Sequence, residues 1–102
     1  MDRVTMLNEI LAHNPNDAFA LYGLAMEYSK SGEVERALEQ FTKLISTNPD
    51  YTAGYFMAAQ TLARAGRIEE AKKMLSEGIA SAKRTRNAHA QSEMEAMLGE
   101  LG

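Results

Sequence analysis

The chain has 102 residues and a mildly acidic net charge of −3, with 45% hydrophobic and 25% charged residues, which is typical of one globular domain. It contains no cysteine, so disulfides, thiolate metal sites and cysteine nucleophiles are excluded. No apolar run reaches the roughly 20 residues that cross a bilayer, and the first residues lack the features of a secretory signal, so we expect a cytoplasmic protein with no membrane partner.

Helices are expected in six segments: 2–13, 17–30, 33–46, 51–65, 67–84 and 88–99. In the second segment the apolar residues recur at the i, i+3, i+4 and i+7 spacing of one helix face, at Leu21, Leu24, Ala25 and Tyr28. Gly32 and Gly66 suit the left-handed residue that ends a helix. Pro15 and Pro49 cannot continue a helix, so each separates one helical hairpin from the next. We expect no β-strand.

A period of 34 residues runs through these segments. Pro15 and Pro49 are separated by it, and so are Gly32 and Gly66. A fixed period of this length indicates stacked units, each made here of helix, tight turn and helix. We therefore expect residues 1–102 to form a single domain with four parts: 2–15, the second helix of an incomplete repeat; 16–49 and 50–83, two full repeats; and 84–102, a capping helix.

These residues resemble the tetratricopeptide repeat family, whose pattern is matched in the first repeat by Leu21, Leu24, Ala25, Tyr28, Gly32, Ala37, Phe41 and Pro49. The second repeat matches less completely, through Tyr55, Ala59, Leu62, Gly66, Ala71 and Leu75. Gly78 stands where the first repeat has Leu44, and no proline follows Ile79, so we interpret this region as the end of the stack. The resemblance implies an all-α fold, a right-handed stack of antiparallel helical hairpins (an α-solenoid). It also implies a scaffold or adaptor that holds other proteins.

The chain contains histidine and paired acidic residues, but their spacing matches no catalytic or metal-binding motif. The two histidines, His13 and His89, have no carboxylate at the spacing of a metal motif. Paired acids such as Glu69 and Glu70 lie at expected helix starts, where they favour the helix dipole rather than acid–base work in a cleft. We therefore expect no enzyme, no metal, no cofactor and no small-molecule substrate.

Basic residues gather in the C-terminal half of the chain: Arg64, Arg67, Lys72, Lys73, Lys83, Arg84 and Arg86. Nucleic-acid binding is one interpretation of such a cluster. Glu69, Glu70 and Glu77 interleave with it on one helix, and the whole chain is acidic. We therefore expect a mixed solvated surface and no nucleic-acid partner.

A second apolar stripe is the best functional clue. Phe19, Tyr22 and Met26 lie at i, i+3 and i+7, and the second repeat places Ala53, Phe56 and Gln60 at the equivalent positions, with Met57 beside them. The resemblance implies that this face of the first helices lines a concave groove that contacts peptide ligands. Aromatic and methionine side chains suit an adaptable protein interface. We predict partner binding at Phe19, Tyr22, Met26, Phe56, Met57 and Gln60.

Two alternatives to this groove stay open. In one, the last helix or a second copy covers the stripe. In the other, the chain is a structural homodimer that uses the same face or the open N-terminal helix, whose apolar residues are Val4, Leu7, Ile10 and Leu11. Family members that grip C-terminal carboxylates of chaperones carry lysine and asparagine where this chain has Tyr22 and Met26. We therefore expect the ligand to be an apolar peptide or a helix of a partner protein.

Overall fold

A computed structural model describes residues 2–102 as six α-helices: α1 Arg3–His13, α2 Ala18–Lys30, α3 Val34–Thr47, α4 Thr52–Arg64, α5 Ile68–Arg84 and α6 Ala88–Leu101. No strand occurs among these residues. The expected all-α fold is confirmed, and each predicted helix boundary agrees with the observed one to within about two residues, the usual uncertainty of helix ends. Met1, which the single-domain prediction included, lies outside the described residues.

Glycine and short polar side chains set the helix ends. Gly32 and Gly66 have φ angles of 79° and 78°, the left-handed conformation expected after α2 and α4. Asp17 caps the start of α2, where its side chain accepts a hydrogen bond from the backbone N–H of Ala20 at 2.9 Å. Asn87 caps α6 in the same way. The turns therefore follow from residues that are close in sequence.

The six helices form two layers. Each helix packs against the next one in sequence, and α4 also contacts α2 and α6. By contrast, the backbones of α3 and α5 stay apart throughout residues 2–102, and only side chains, such as those of Arg67 and Glu35, bridge them. We call α2, α4 and α6 the inner layer, and α1, α3 and α5 the outer layer. Because the inner helices touch while the outer ones diverge, the stack curves with the inner layer on its concave side.

Small residues let neighbouring helices approach closely. Ala25, Ala37, Ala59 and Ala71, which match the repeat pattern, are all fully buried. Phe41 packs into the cluster around Ala25 and Ala37 and is itself inaccessible to solvent. Since interiors of this kind are close-packed, the alanine positions leave no space for a larger side chain.

The last helix packs on the stack through an apolar stripe. Met94 is fully buried in the cluster that contains Tyr55 and Leu75, and four further residues pack around it: Ala90, Met97, Leu98 and Leu101. The glutamates of this helix, Glu93, Glu95 and Glu100, are exposed. The helix α6 therefore covers the apolar edge of α4 and α5 and turns its polar side outward.

Candidate partner-binding groove

The predicted binding residues lie on the inner layer, but their exposure differs. Phe19, in the first turn of α2, is 59% exposed, whereas the other five are half-buried: Tyr22, Met26, Phe56, Met57 and Gln60. Exposed large apolar side chains usually mark contact surfaces when they belong to a patch, and single ones do not. The contacts of the half-buried residues therefore decide which of them belong with Phe19.

Tyr22 joins the inner face to the core. Its ring meets that of Phe41 edge-on at a centroid distance of 6.5 Å and lies tilted against that of Tyr51 at 5.4 Å. This partial burial raises the pKa of the Tyr22 hydroxyl above its ordinary value, with a smaller contribution from neighbouring Tyr51. Replacing Tyr22 would therefore disturb the core as well as the surface.

Tyr51 was not among the predicted site residues, although it forms part of the wall beside Tyr22. It lies in the turn that precedes α4, at the position where the first repeat has Asp17. The signal that could have revealed it is an aromatic residue at a position occupied elsewhere by a helix cap.

The methionines and Phe56 pack against different parts of the core. Met26 and Met57 contact the same cluster as Tyr22, so the structure brings these three residues together at the boundary of α2 and α4. Phe56 instead packs against the neighbouring cluster, which includes Met94 of α6. Phe56 therefore belongs to a different part of the inner layer from Tyr22, Met26 and Met57.

The inner face of α2 and α4 is nearly free of charge. Arg64 is the only charged residue of α4, and α2 carries Glu27 and Lys30. The carboxylate of Glu27 lies 3.5 Å from Arg3 and 3.7 Å from Lys30. The outer helices α3 and α5, in contrast, carry several acidic and basic residues each. This difference is typical of an inner surface that contacts apolar groups.

A chain of hydrogen bonds ties α2 to α4 at the far end of this face. Arg64 donates to the Ser29 hydroxyl at 3.0 Å, and the Ser29 and Thr61 hydroxyls are 2.8 Å apart. Thr61 donates to the backbone carbonyl of Met57 at 2.9 Å. Because a hydroxyl has one proton, Ser29 must then be the donor to Thr61.

A cleft of about 730 Å³ lies on the other side of the molecule, between α3 and α5. Its walls include charged side chains of both signs. Arg67, the residue that precedes α5, spans it by pairing with Glu35 of α3 and with Glu70 of α5. These bonds, first that to Glu70, raise the pKa of Arg67, and Arg67 lowers the pKa of Glu70. Pairing of this kind fits the mixed surface that we expect for the basic cluster.

The two histidines lie apart on the surface. The ring of His13 is 3.1 Å from the backbone oxygen of Glu9, and His89 is 3.3 Å from Glu93. Among residues 2–102, no three histidine, aspartate or glutamate side chains are arranged to hold a metal ion. In the same part of the chain, every helix is too short or too polar to span a bilayer.

The outer face of α1 carries the second large exposed apolar side chain. Met6 is 40% exposed, and α1 contacts only α2 among the described helices. Arg3 lies over the edge of α2: its Nη2 is 3.5 Å from the place that a Cβ on Gly23 would take, and its Nε is 3.5 Å from Glu27. The charged side chain of Arg3 therefore covers one edge of the contact between α1 and α2.

The fold and its inner face define a helical-repeat protein of stacked hairpins. Tetratricopeptide repeat models match residues 28–92 and 6–39. The chain belongs to the tetratricopeptide repeat family, as its residue pattern predicted.

Relatives of known sequence or structure agree with this assignment. The TPR repeat-containing protein PA0015 of Pseudomonas aeruginosa is 28% identical over 95 residues, which cover 93% of this chain and 90% of that protein. A tetratricopeptide repeat domain protein from Salinibacter ruber is 30% identical, with a TM-score of 0.79 over 86% of this chain and 89% of that one. PcrH, solved in complex with the chaperone binding region of PopD, has a TM-score of 0.88 at 18% identity, covering 96% of this chain and 74% of PcrH.

Proposed function

We propose that this chain is a protein-interaction module that holds a peptide or a helix of a partner protein on the inner face of α2 and α4. The observation that carries the proposal is the 59% exposure of Phe19 at the head of a nearly uncharged face. Behind it lie Tyr22, Met26 and Met57, which share one cluster. An apolar partner segment would cover Phe19 and contact the half-buried residues.

The energetics of such a contact fit a modest interface. Full burial of a phenylalanine side chain contributes roughly 1.5–3 kcal/mol, so Phe19 alone could act as an anchor. Methionine side chains adapt to different partner shapes because they are unbranched and polarisable. Met26 and Met57 can therefore follow the contour of a bound segment at little cost.

Family membership supports a protein as the partner. Tetratricopeptide repeats are interaction modules, and PcrH, which has a similar fold, was solved with a segment of another protein. In our proposal residues 2–102 act as one cytoplasmic unit of two repeats, 16–49 and 50–83, flanked by 2–15 and 84–102. It works without catalysis or a cofactor, and it binds neither nucleic acid, membrane nor a small-molecule substrate.

The test is a comparison of two exposed apolar residues on different faces. Partners captured by the parent chain from the organism that encodes it would be identified, purified and titrated against Phe19→Asp and Met6→Asp. We expect Phe19→Asp to lose most of the affinity and Met6→Asp to retain it. Equal binding by the parent and Phe19→Asp would reject the groove. Both substitutions are at exposed sites, so both variants should remain folded.

A homo-oligomer is the second candidate, because Met6 is exposed and Val4, Ile10 and Leu11 of α1 are only half-buried. In that case light scattering would show a mass that rises with concentration, and Met6→Asp would return the chain to a monomer. If Phe19→Asp did so instead, the inner face would be the self-association surface.

A further inference from the structure

We propose that the inner face has a cationic end, formed by Lys30 and Arg64, that takes a carboxylate side chain of the bound partner segment. This inference rests on the proposed function and specifies the chemistry of its partner. It uses a different end of the face from Phe19, and different positions from Tyr22 and Met26, where other family members hold a terminal carboxylate.

The repeat itself creates the cationic end. Lys30 and Arg64 are the last residues of α2 and α4, and they occupy equivalent positions 34 residues apart. Lys30 lies four residues after Met26, and Arg64 lies four residues after Gln60. Residues four apart share a helix face, so the two cations lie on the same faces as the predicted binding residues. The row on α2 thus runs from Tyr22 through Met26 to Lys30.

Arg64 is directed toward α2. Cations at helix ends often serve the carbonyl groups of their own helix. Arg64 instead donates to the Ser29 hydroxyl of the neighbouring helix at 3.0 Å, and no carboxylate of residues 2–102 lies within 4 Å of it. Since Ser29 donates its one proton to Thr61, its oxygen accepts from Arg64 and keeps the guanidinium at the α2–α4 boundary.

The surroundings favour an acidic ligand. A cavity of about 520 Å³ opens between the ends of α2 and α4, lined by Ser29, Lys30, Thr61 and Arg64 together with uncharged residues, and no acidic side chain lines it. The one nearby carboxylate, Glu27, lies 3.7 Å from Lys30 and is shared with Arg3. Two cations facing one cavity therefore have a single shared counter-charge.

The geometry sets the spacing of the ligand. Tyr22 and Lys30 are eight residues apart on one helix, which corresponds to about 12 Å along its axis. A partner would therefore carry an acidic residue about 12 Å from the apolar residue that contacts Tyr22. That separation is three or four residues in an extended segment and about two turns in a helix.

The experiment is a selection from a displayed random peptide library on the parent chain, followed by titration of the enriched peptides. We expect these peptides to share an aspartate or glutamate at a fixed spacing from an apolar residue. The variant Lys30→Glu/Arg64→Glu should weaken their binding roughly tenfold or more, the scale expected for two reversed charge pairs. Selection on that variant should enrich lysine or arginine at the same place.

A matched control changes the same charge on the outer layer. Lys43→Glu/Lys73→Glu alters two exposed lysines of α3 and α5 and should leave affinity unchanged. If peptides depend on Phe19 but bind the Lys30/Arg64 variant normally, the cationic end is wrong and the proposed function stands. If no peptide depends on Phe19, both are wrong. Retention of a single-stranded oligonucleotide that needs Lys30 and Arg64 would assign the pair to nucleic acid and overturn the inference.

Discussion

The sulfur of Met94 lies 2.5 Å from the point where a Cβ on Gly78 would be, and the Cβ of Tyr55 lies 2.6 Å from the same point. No side chain other than hydrogen fits between these neighbours. Gly78 replaces the Leu44 of the first repeat, and we interpreted this departure as the end of the stack. Its physical role is more specific: the glycine makes the space into which α6 inserts Met94.

We predict that Gly78→Ala destabilises the protein by about 1–3 kcal/mol, because an added methyl group forces Met94 and the α4 backbone away. For a domain of this size, that would lower Tm by very roughly 4–20 °C. Gly99→Ala is the matched control: it also lies in a helix, and nothing is within 4 Å of the added Cβ. It should be neutral or slightly stabilising, since alanine is the better helix former.

Thermal unfolding followed by circular dichroism measures both variants. A Gly78→Ala protein that melts like the parent would mean that α6 does not pack as described. A large loss for Gly99→Ala would instead show that the last turn of α6 is not helical.

The buried alanines support a second prediction. Ala71 of α5 is fully buried, whereas Ala80 of the same helix is exposed. We expect Ala71→Leu to overpack the hairpin and cost about 1–3 kcal/mol, and Ala80→Leu to change stability by less than about 0.5 kcal/mol. Urea unfolding of the two variants separates these outcomes, and equal midpoints would contradict the packing at Ala71.

The sequence was sufficient to predict the fold because residues that are close in sequence specify the structure of each repeat. The 34-residue period, the left-handed Gly32 and Gly66, and the small residues at Ala37 and Ala71 all specify hairpins without reference to distant contacts. Helix boundaries followed from the same signals. Because the local conformational preferences agree with the overall fold, the fold of a repeat protein can be predicted from its sequence.

The candidate site was less predictable, because periodicity places a residue on a face and does not specify its neighbours. Tyr22 and Phe56 occupy equivalent positions in the two repeats, yet Tyr22 packs on Phe41 and Tyr51, while Phe56 packs toward Met94. The difference arises from side chains supplied by other helices. The bond from Arg64 to Ser29 likewise depends on the separation of α2 and α4, which no spacing rule gives.

Tyr55 predicts a loss of stability at alkaline pH. Burial raises the pKa of its hydroxyl above the ordinary value of 10.0, and the hydroxyl donates to the backbone oxygen of Pro49 at 2.8 Å. Above pH 10 the unfolded chain therefore loses this proton before the folded chain does, and stability falls as pH rises. The contribution is fully present below pH 10.

The measurement compares the parent and Tyr55→Phe by urea unfolding at about pH 9 and about pH 11. Tyr55→Phe should cost about 0.5–1.5 kcal/mol at the lower pH, where it lacks the hydrogen bond, although Arg84 still donates to Pro49 at 3.0 Å. The difference in unfolding free energy between the parent and Tyr55→Phe should be smaller at the higher pH. Because the two proteins share every other titratable group, a constant difference in unfolding free energy would contradict the raised pKa of Tyr55.

The pair Thr52 and Ser81 provides the sharpest test of how α4 and α5 are held together. Their hydroxyls are 3.0 Å apart, both side chains are buried, and the equivalent pair in the first repeat is Ala18 and Thr47, so the bond is a feature of the second repeat alone. Thr52→Val keeps the shape and removes the hydroxyl, which leaves Ser81 buried without this partner and should cost about 1–3 kcal/mol. Ser81→Ala should cost a similar amount. The double variant should lose less than the sum of the two, with a coupling of about 0.5 kcal/mol or more, because an apolar pair leaves no unsatisfied group. Additive losses in the double-mutant cycle would show that the two hydroxyls do not bond in solution and that their burial is satisfied in another way.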